Sequence, residues 1–151
     1  MRISAKADYA VRASIELATR GSEPVKGDVV AEAQDIPVNF LENILAELKH
    51  TGIVASRRGA NGGYWIAKDP GEITVADIVR AVEGPLASVR GDGPESVEYR
   101  GAAEPLQQVW VALRKQLRSV LEAVTLEDLV SGKLPPEVSQ IAGDPDAWVG
   151  R

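Results

Sequence analysis

Asn39, Glu42 and Asn43 are spaced to bring three polar side chains to one side of a helix, and Arg57 and Arg58 follow beside a Gly62-Gly63 reversal. These residue types suit contact with double-stranded DNA. Asparagine can bond adenine at two points, glutamate can accept from cytosine, and arginine can track phosphates or enter a narrow minor groove. Lys49, later on the same helix, suits a phosphate. Taken singly, each could be an ordinary solvated residue. Their concentration on one helix and the adjoining turn favours a contact surface.

Catalytic chemistry has no comparable grouping. With no cysteine and a single histidine, His50, the chain offers no thiolate nucleophile, disulfide or multi-histidine metal site. The glycine-rich turn lacks the Lys-Ser/Thr of a phosphate loop, and no serine stands in a triad setting. Asp77 and Glu83 read as helix-surface charges, and His50 as a helix-end residue favoured by the dipole. We therefore expect no enzyme, no cofactor and no metal.

The elements that must position these residues can be read from the spacing of apolar side chains and from stop signals. Ser4 is placed to cap a first helix with Ala7, Ala10, Val11, Ile15 and Ala18 on one face, ended by Gly21 to Pro24. A second, from Gly27 to Gln34, should bury Val29, Val30 and Ala33. Pro37 opens a third, with Phe40, Leu41, Ile44, Leu45 and Leu48 inward, Asn39, Glu42, Asn43, Ala46 and Lys49 outward, and Gly52 as a left-handed cap. Ile53–Ser56 and Tyr64–Ile66 read as a hairpin. A fourth helix, Val75–Glu83, is capped by Thr74 and should bury Ile78, Val79 and Val82.

Three helices followed by a hairpin is the winged helix-turn-helix order. The fold class is accordingly mainly α with a small β-hairpin wing. Residues 1–84 form the DNA-binding domain, 85–103 a loop, 104–130 a dimerisation helix region and 131–151 a flexible tail in which Trp148 and Val149 could dock. The long helix shows Leu106, Val109, Leu113, Leu117, Val120 and Val124 at intervals of three and four, widened by Trp110 and Leu121. Such a stripe needs a partner surface, and we expect a second copy of the chain; folding back on its own domain is the alternative.

Charge is distributed unevenly. The net charge is -5, yet nine basic and eight acidic residues lie up to Lys68, against eight and fourteen beyond it. A nearly neutral N-terminal half can still present a basic face. At 151 residues the chain has room for one well-packed domain and an appendage. No apolar run approaches the ~20 residues of a membrane span. The start, MRISAKADYAVRA, lacks a secretory pattern, so we expect a cytoplasmic protein without membrane partners.

MRISAKADYAVRA, IPVNFLENIL, SRRGANGGYWIA and ITVADIVRAVEG, in that order, resemble the Rrf-two family of winged helix-turn-helix transcriptional regulators. The family includes the iron-sulfur cluster regulator and the nitric-oxide-sensing repressor. The resemblance, covering about residues 1 to 130, implies a homodimer on a partly palindromic operator. It implies base reading by Asn39, Glu42 and Asn43, minor-groove entry by Arg58, and backbone contacts or support from Arg2, Ser4 and Tyr9.

One departure stands out. Cluster-binding members have three cysteines in the loop before the long helix, where this chain has SVRGDGPESVEYRGAAEP. Asp8 resembles a carboxylate that completes the cluster in some members; without cysteines it reads as a surface or dimer-contact residue. Cysteine-free members include a repressor of cysteine metabolism that takes its signal through cysteine synthase. The likeness implies a sensing partner of that kind, or a small-molecule effector near Tyr99 and Trp110. The rival class is a winged-helix protein-interaction module that no longer binds DNA, supported by the overall acidity.

Overall fold

The computed structural model describes residues 1–151 as α1 (Ala5–Thr19), α2 (Gly27–Gln34), α3 (Val38–His50), β1 (Val54–Arg57), β2 (Gly63–Ile66), α4 (Val75–Glu83), α5 (Leu106–Leu121), α6 (Leu126–Ser131) and α7 (Pro136–Ala142). Local chemistry sets the boundaries. Ser4 Oγ accepts from the Ala7 N–H at 3.0 Å and so caps α1. Thr74 with Asp77, and Thr125 with Asp128, form capping boxes that start α4 and α6. Gly52, at φ +79°, takes the left-handed conformation just past the end of α3.

α1 is central, with α2, α3, α4 and α6 all packed against it. Its enclosed residues are Ala7, Ala10, Ala13, Ser14 and Leu17, whereas Val11, Ile15 and Ala18, expected inward, are only half-buried. Small side chains allow neighbours to approach closely from several directions. Ser14 is tolerated there because its hydroxyl donates to the Ala10 carbonyl at 2.8 Å. In α2 the core takes Val30 and Ala31, leaving Val29 and Ala33 exposed. A two-turn helix offers one narrow edge to its neighbours.

Leu41, Ile44, Leu45 and Leu48 of α3 are buried, each worth roughly 1.5–3 kcal/mol in apolar transfer. Phe40, expected among them, is 55% exposed and lies edge-on to Tyr9 of α1, ring centroids 6.3 Å apart. β1 pairs antiparallel with β2, Val54 opposite Ile66 and Arg57 opposite Gly63. Val25, just before α2, extends this sheet by exchanging two backbone bonds of 2.8 Å with Tyr64. In α4, Ala76, Ile78 and Val82 are buried and Val79 is half-buried.

The segment from Pro85 to Pro105 is built rather than slack. Leu86, Pro94 and Val97 are buried, and Arg90 and Gly91, at φ +54° and +91°, make a tight turn between Val89 and Asp92. α5 then runs 16 residues without one buried side chain. Val124, expected on its stripe, lies beyond its end and is enclosed by its own chain. Its carbonyl accepts from the Val75 N–H at 2.9 Å, and the Leu126 N–H donates to Ile73 at the same distance. This pairing returns α6 to α1 and places Leu126 in the core.

Beyond α6, the stretch read as a loose tail contains α7 and a 3₁₀ turn over Pro145–Trp148. Pro136 starts α7 and Gly143 ends it. Trp148 remains 79% exposed, its indole N–H donating to the Ala142 carbonyl at 2.6 Å. No helix is long and apolar enough to cross a membrane.

Candidate nucleic-acid interface

Because Leu41, Ile44, Leu45 and Leu48 anchor α3, its opposite stripe must face outward. Asn39, Glu42, Asn43, Lys49 and His50 are all exposed, and none of their side chains has a hydrogen bond or ion pair within the chain. The helix itself is tied down at its sides. Lys6 of α1 meets Glu47 at 2.9 Å, and Phe40 leans on Tyr9. Exposed pairs of this kind contribute little to stability, but they orient the element they touch.

The wing separates two arginines that looked equivalent. Arg57 ends β1 and donates through Nη2 to the Asn61 carbonyl at 3.1 Å, bracing the turn. Arg58 is exposed and has no intramolecular partner. The turn closes through the Gly62 N–H to the Gly59 carbonyl at 3.0 Å. That same carbonyl accepts from Lys26 Nζ at 2.6 Å.

The N-terminal residues divide by environment. Arg2 is exposed, whereas Ser4 both caps α1 and donates to a Glu83 carboxylate oxygen of α4. Tyr9 is half-buried, with the Arg12 guanidinium 4.9 Å from its ring centroid. Arg12 also bonds the Gln34 carbonyl at 2.7 Å and lies 3.0 Å from Asp8. Asp8 is thus an exposed partner of Arg12 on its own helix. Lys6, Lys26 and the bond from Arg12 to Gln34 escaped the sequence reading because those partners are distant in the chain or backbone atoms.

On α5, one face holds the preceding loop. Gln107 Nε2 donates to the carbonyls of Pro94 and Glu95 at 3.3 and 3.1 Å, Trp110 Nε1 donates to Tyr99 Oη at 3.0 Å, and Arg114 pairs with Glu95. Tyr99 and Trp110 therefore come together as partners of each other. Trp110, half-buried, reaches the loop from the edge of the stripe of Leu106, Val109, Leu113, Leu117 and Val120. Leu121 closes the helix half-buried, and the neighbouring Glu122 pairs with Arg80 of α4.

Its own backbone N–H first, and the Arg114 guanidinium second, hold the Glu95 carboxyl below the ordinary carboxylate range. A depressed folded-state value means that the contribution is present above the unfolded value, about 4.3, and is lost as pH falls through the lower folded one. The Trp110 indole N–H resonance should therefore be constant between about pH 5 and 8 and shift only below about pH 4.3. Glu95→Gln should abolish that shift. A transition centred above the ordinary carboxylate value would remove Glu95 as its cause.

Residues 3–132 match the family described as Rrf2, iron-dependent transcriptional regulator. An HTH-type transcriptional regulator so named in Mycobacterium tuberculosis H37Rv is 50% identical over 145 residues, covering 95% of this chain and 90% of that one. CymR of Bacillus subtilis is 36% identical over 132 residues, 87% of this chain and 91% of its own. Among solved structures, CymR, the global cysteine regulator of B. subtilis, superposes with a TM-score of 0.72 at 34% identity, covering 87% of this chain and 97% of that one. IscR of T. potens gives 0.67 at 29%, covering 100% and 93%.

The family description names iron, and the residues present do not fit an iron-sulfur cluster. Thiolates are absent from the sequence, Glu95 is engaged by Arg114, and Tyr99 by Trp110. No three His, Asp or Glu side chains gather where they could hold a metal ion. The match over nearly the whole chain, the winged fold and relatives named as transcriptional regulators rather than enzymes agree: the chain belongs to the Rrf2 family of helix-turn-helix transcriptional regulators.

Proposed function

We propose that this chain represses transcription as a cytoplasmic homodimer that covers a partly palindromic operator. The observation supporting this most directly is an exposed stripe, Asn39, Glu42 and Asn43, together with Arg58, all without internal partners in a family of DNA-binding regulators. On this reading the three α3 side chains read base edges in the major groove. Arg58 enters the adjacent minor groove, and Lys49, Arg57 and Arg2 meet phosphates. Ser4 and Tyr9 act beneath the surface, holding the start of α1 and the side of α3.

The proposed organisation assigns residues 1–84 to DNA contact and 104–130 to the region of dimerisation. Two copies would pack the α5 stripe of Leu106, Val109, Leu113, Leu117 and Val120. A link to cysteine or sulfur metabolism rests on the likeness to CymR and on the cysteine-free sequence. Cysteine synthase, or a small effector at the Tyr99–Trp110 pair, would supply the signal. An effector there must compete with the hydrogen bond the two residues share.

The test is binding to the protein's own upstream promoter region, narrowed by footprinting and measured over a range of salt. Arg58→Ala should weaken binding about 10-fold and lower the salt slope by about one. Asn43→Ala should change the preferred base at one position in each half-site, a discrimination of about 1–3 kcal/mol. Unchanged binding by both variants would remove these residues from the contact surface. Absence of salt-dependent binding by the native protein would favour the protein-interaction reading that its net charge of -5 allows.

A further inference from the structure

We infer that Lys26 is a positioning residue for the wing, fixing where Arg58 is presented; this rests on the proposed role of Arg58 in DNA contact. Lys26 is the residue before α2 and makes no side-chain capping bond with it. Its ammonium instead reaches across to the Gly59 carbonyl at 2.6 Å, one residue past Arg58. Gly59 is at φ +106°, where the turn reverses, and its carbonyl also accepts the Gly62 N–H. Two donors on one carbonyl hold the tip from inside the turn and from outside it.

The outside anchor is itself rigidly placed. Val25, the preceding residue, is joined to Tyr64 by two backbone bonds and stands against the bare Cα of Gly63. Lys26 therefore starts from a backbone already fixed to β2 and ends on the loop that β2 closes. Without the ammonium, the exposed turn from Arg58 to Asn61 would keep only the Arg57–Asn61 and Gly59–Gly62 bonds. Arg58 would then sample more orientations before meeting DNA, and binding would lose part of the benefit of preorganisation.

Lys26→Met keeps the alkyl stem and removes the donor; Lys26→Arg keeps a donor. In the free full-length protein, Lys26→Met should raise amide hydrogen exchange of Gly62 at least several-fold, leave exchange in the core of α3 unchanged, and Lys26→Arg should restore most of the protection. On the footprinted promoter fragment it should weaken binding about 5-fold, with almost no effect when Arg58 is already alanine. Unchanged Gly62 exchange would overturn the clamp. An equal loss in the Arg58→Ala background, with the salt slope reduced by about one, would overturn positioning in favour of a direct phosphate contact. If the native protein fails to bind the fragment, the DNA reading fails, and the exchange measurement still decides whether Lys26 holds the wing.

Discussion

Replacing Leu113 or Leu117 by glutamate is expected to turn a dimer into a folded monomer and to weaken operator binding at least about 100-fold, since the two half-sites would no longer be engaged as one intramolecular event. α5 is the basis for this expectation. Its 16 residues include Leu106, Val109, Leu113, Leu117 and Val120 on one stripe, yet none of its side chains is buried by the chain's own domain. Val109 is 54% exposed. An isolated helix of this length is marginal in water unless an apolar face is covered. A carboxylate in the middle of such a face, paired with its symmetry copy, would add like-charge repulsion to the cost of desolvation. Gln108→Glu, on the exposed side of the helix opposite the stripe, should leave the dimer intact. Light scattering at micromolar concentration, with far-ultraviolet circular dichroism as a control for folding, checks the result. A monomeric native protein, or a Leu113→Glu variant that remains dimeric, would reject α5 as the interface.

The same helix shows what could be read in advance and what could not. Its stripe was legible because i+3 and i+4 spacing is a local property of the sequence. So were the ends of α4, since Thr74 begins a T-x-x-D capping box and Gly84 supplies the residue at φ +81°. Gln107, Trp110 and Arg114, by contrast, hold a loop whose path depends on Leu86, Pro94 and Val97 being buried against other elements. One sequence does not state such pairings. Val124 was drawn into the stripe by continuing the same interval, but the helix stops at Leu121 and the next strand-like residues pair with 73–75.

In α1 the error had a different source. Ala7 and Ala10 are buried as expected, but Val11 and Ile15 are larger and more apolar than Ala13 and Ser14, so size drew the expected face toward the half-buried edge of the wheel. A helix surrounded on several sides encloses its smallest residues, because they permit the closest approach. For α7 the signals were present, Pro136 at the start and Gly143 at the end, and a composition rich in proline and glycine obscured them. The outward stripe of α3 needed no tertiary information: burying Leu41, Ile44, Leu45 and Leu48 leaves only one direction for Asn39, Glu42 and Asn43. The unequal roles of Arg57 and Arg58 did need it, since the Asn61 carbonyl takes one and leaves the other free.

Gly63→Ala should cost about 2–4 kcal/mol of stability and detach the wing from the segment before α2, a larger effect than removing any single exposed arginine. A Cβ at this position would lie 2.6 Å from both the carbonyl carbon and the oxygen of Val25, and 2.8 Å from its nitrogen. Those are backbone atoms, so no rotamer change relieves the clash. The φ of +150° adds a conformational cost that an L side chain meets and glycine does not. Relief requires Val25 to move away, breaking its two bonds with Tyr64. Lys26 would move with it and lose its reach to Gly59. Urea unfolding should show the lower midpoint, and hydrogen exchange should place the lost protection at Val25 and Tyr64 while the buried side of α3 stays protected. Gly21→Ala is the control, because Gly21 also has a positive φ, +67°, but a Cβ there meets nothing within 4 Å. Its cost should be limited to the left-handed conformation, about 1 kcal/mol. Equal losses in the two variants would mean that backbone conformation, rather than the close approach of Val25, is what requires glycine at the base of the wing.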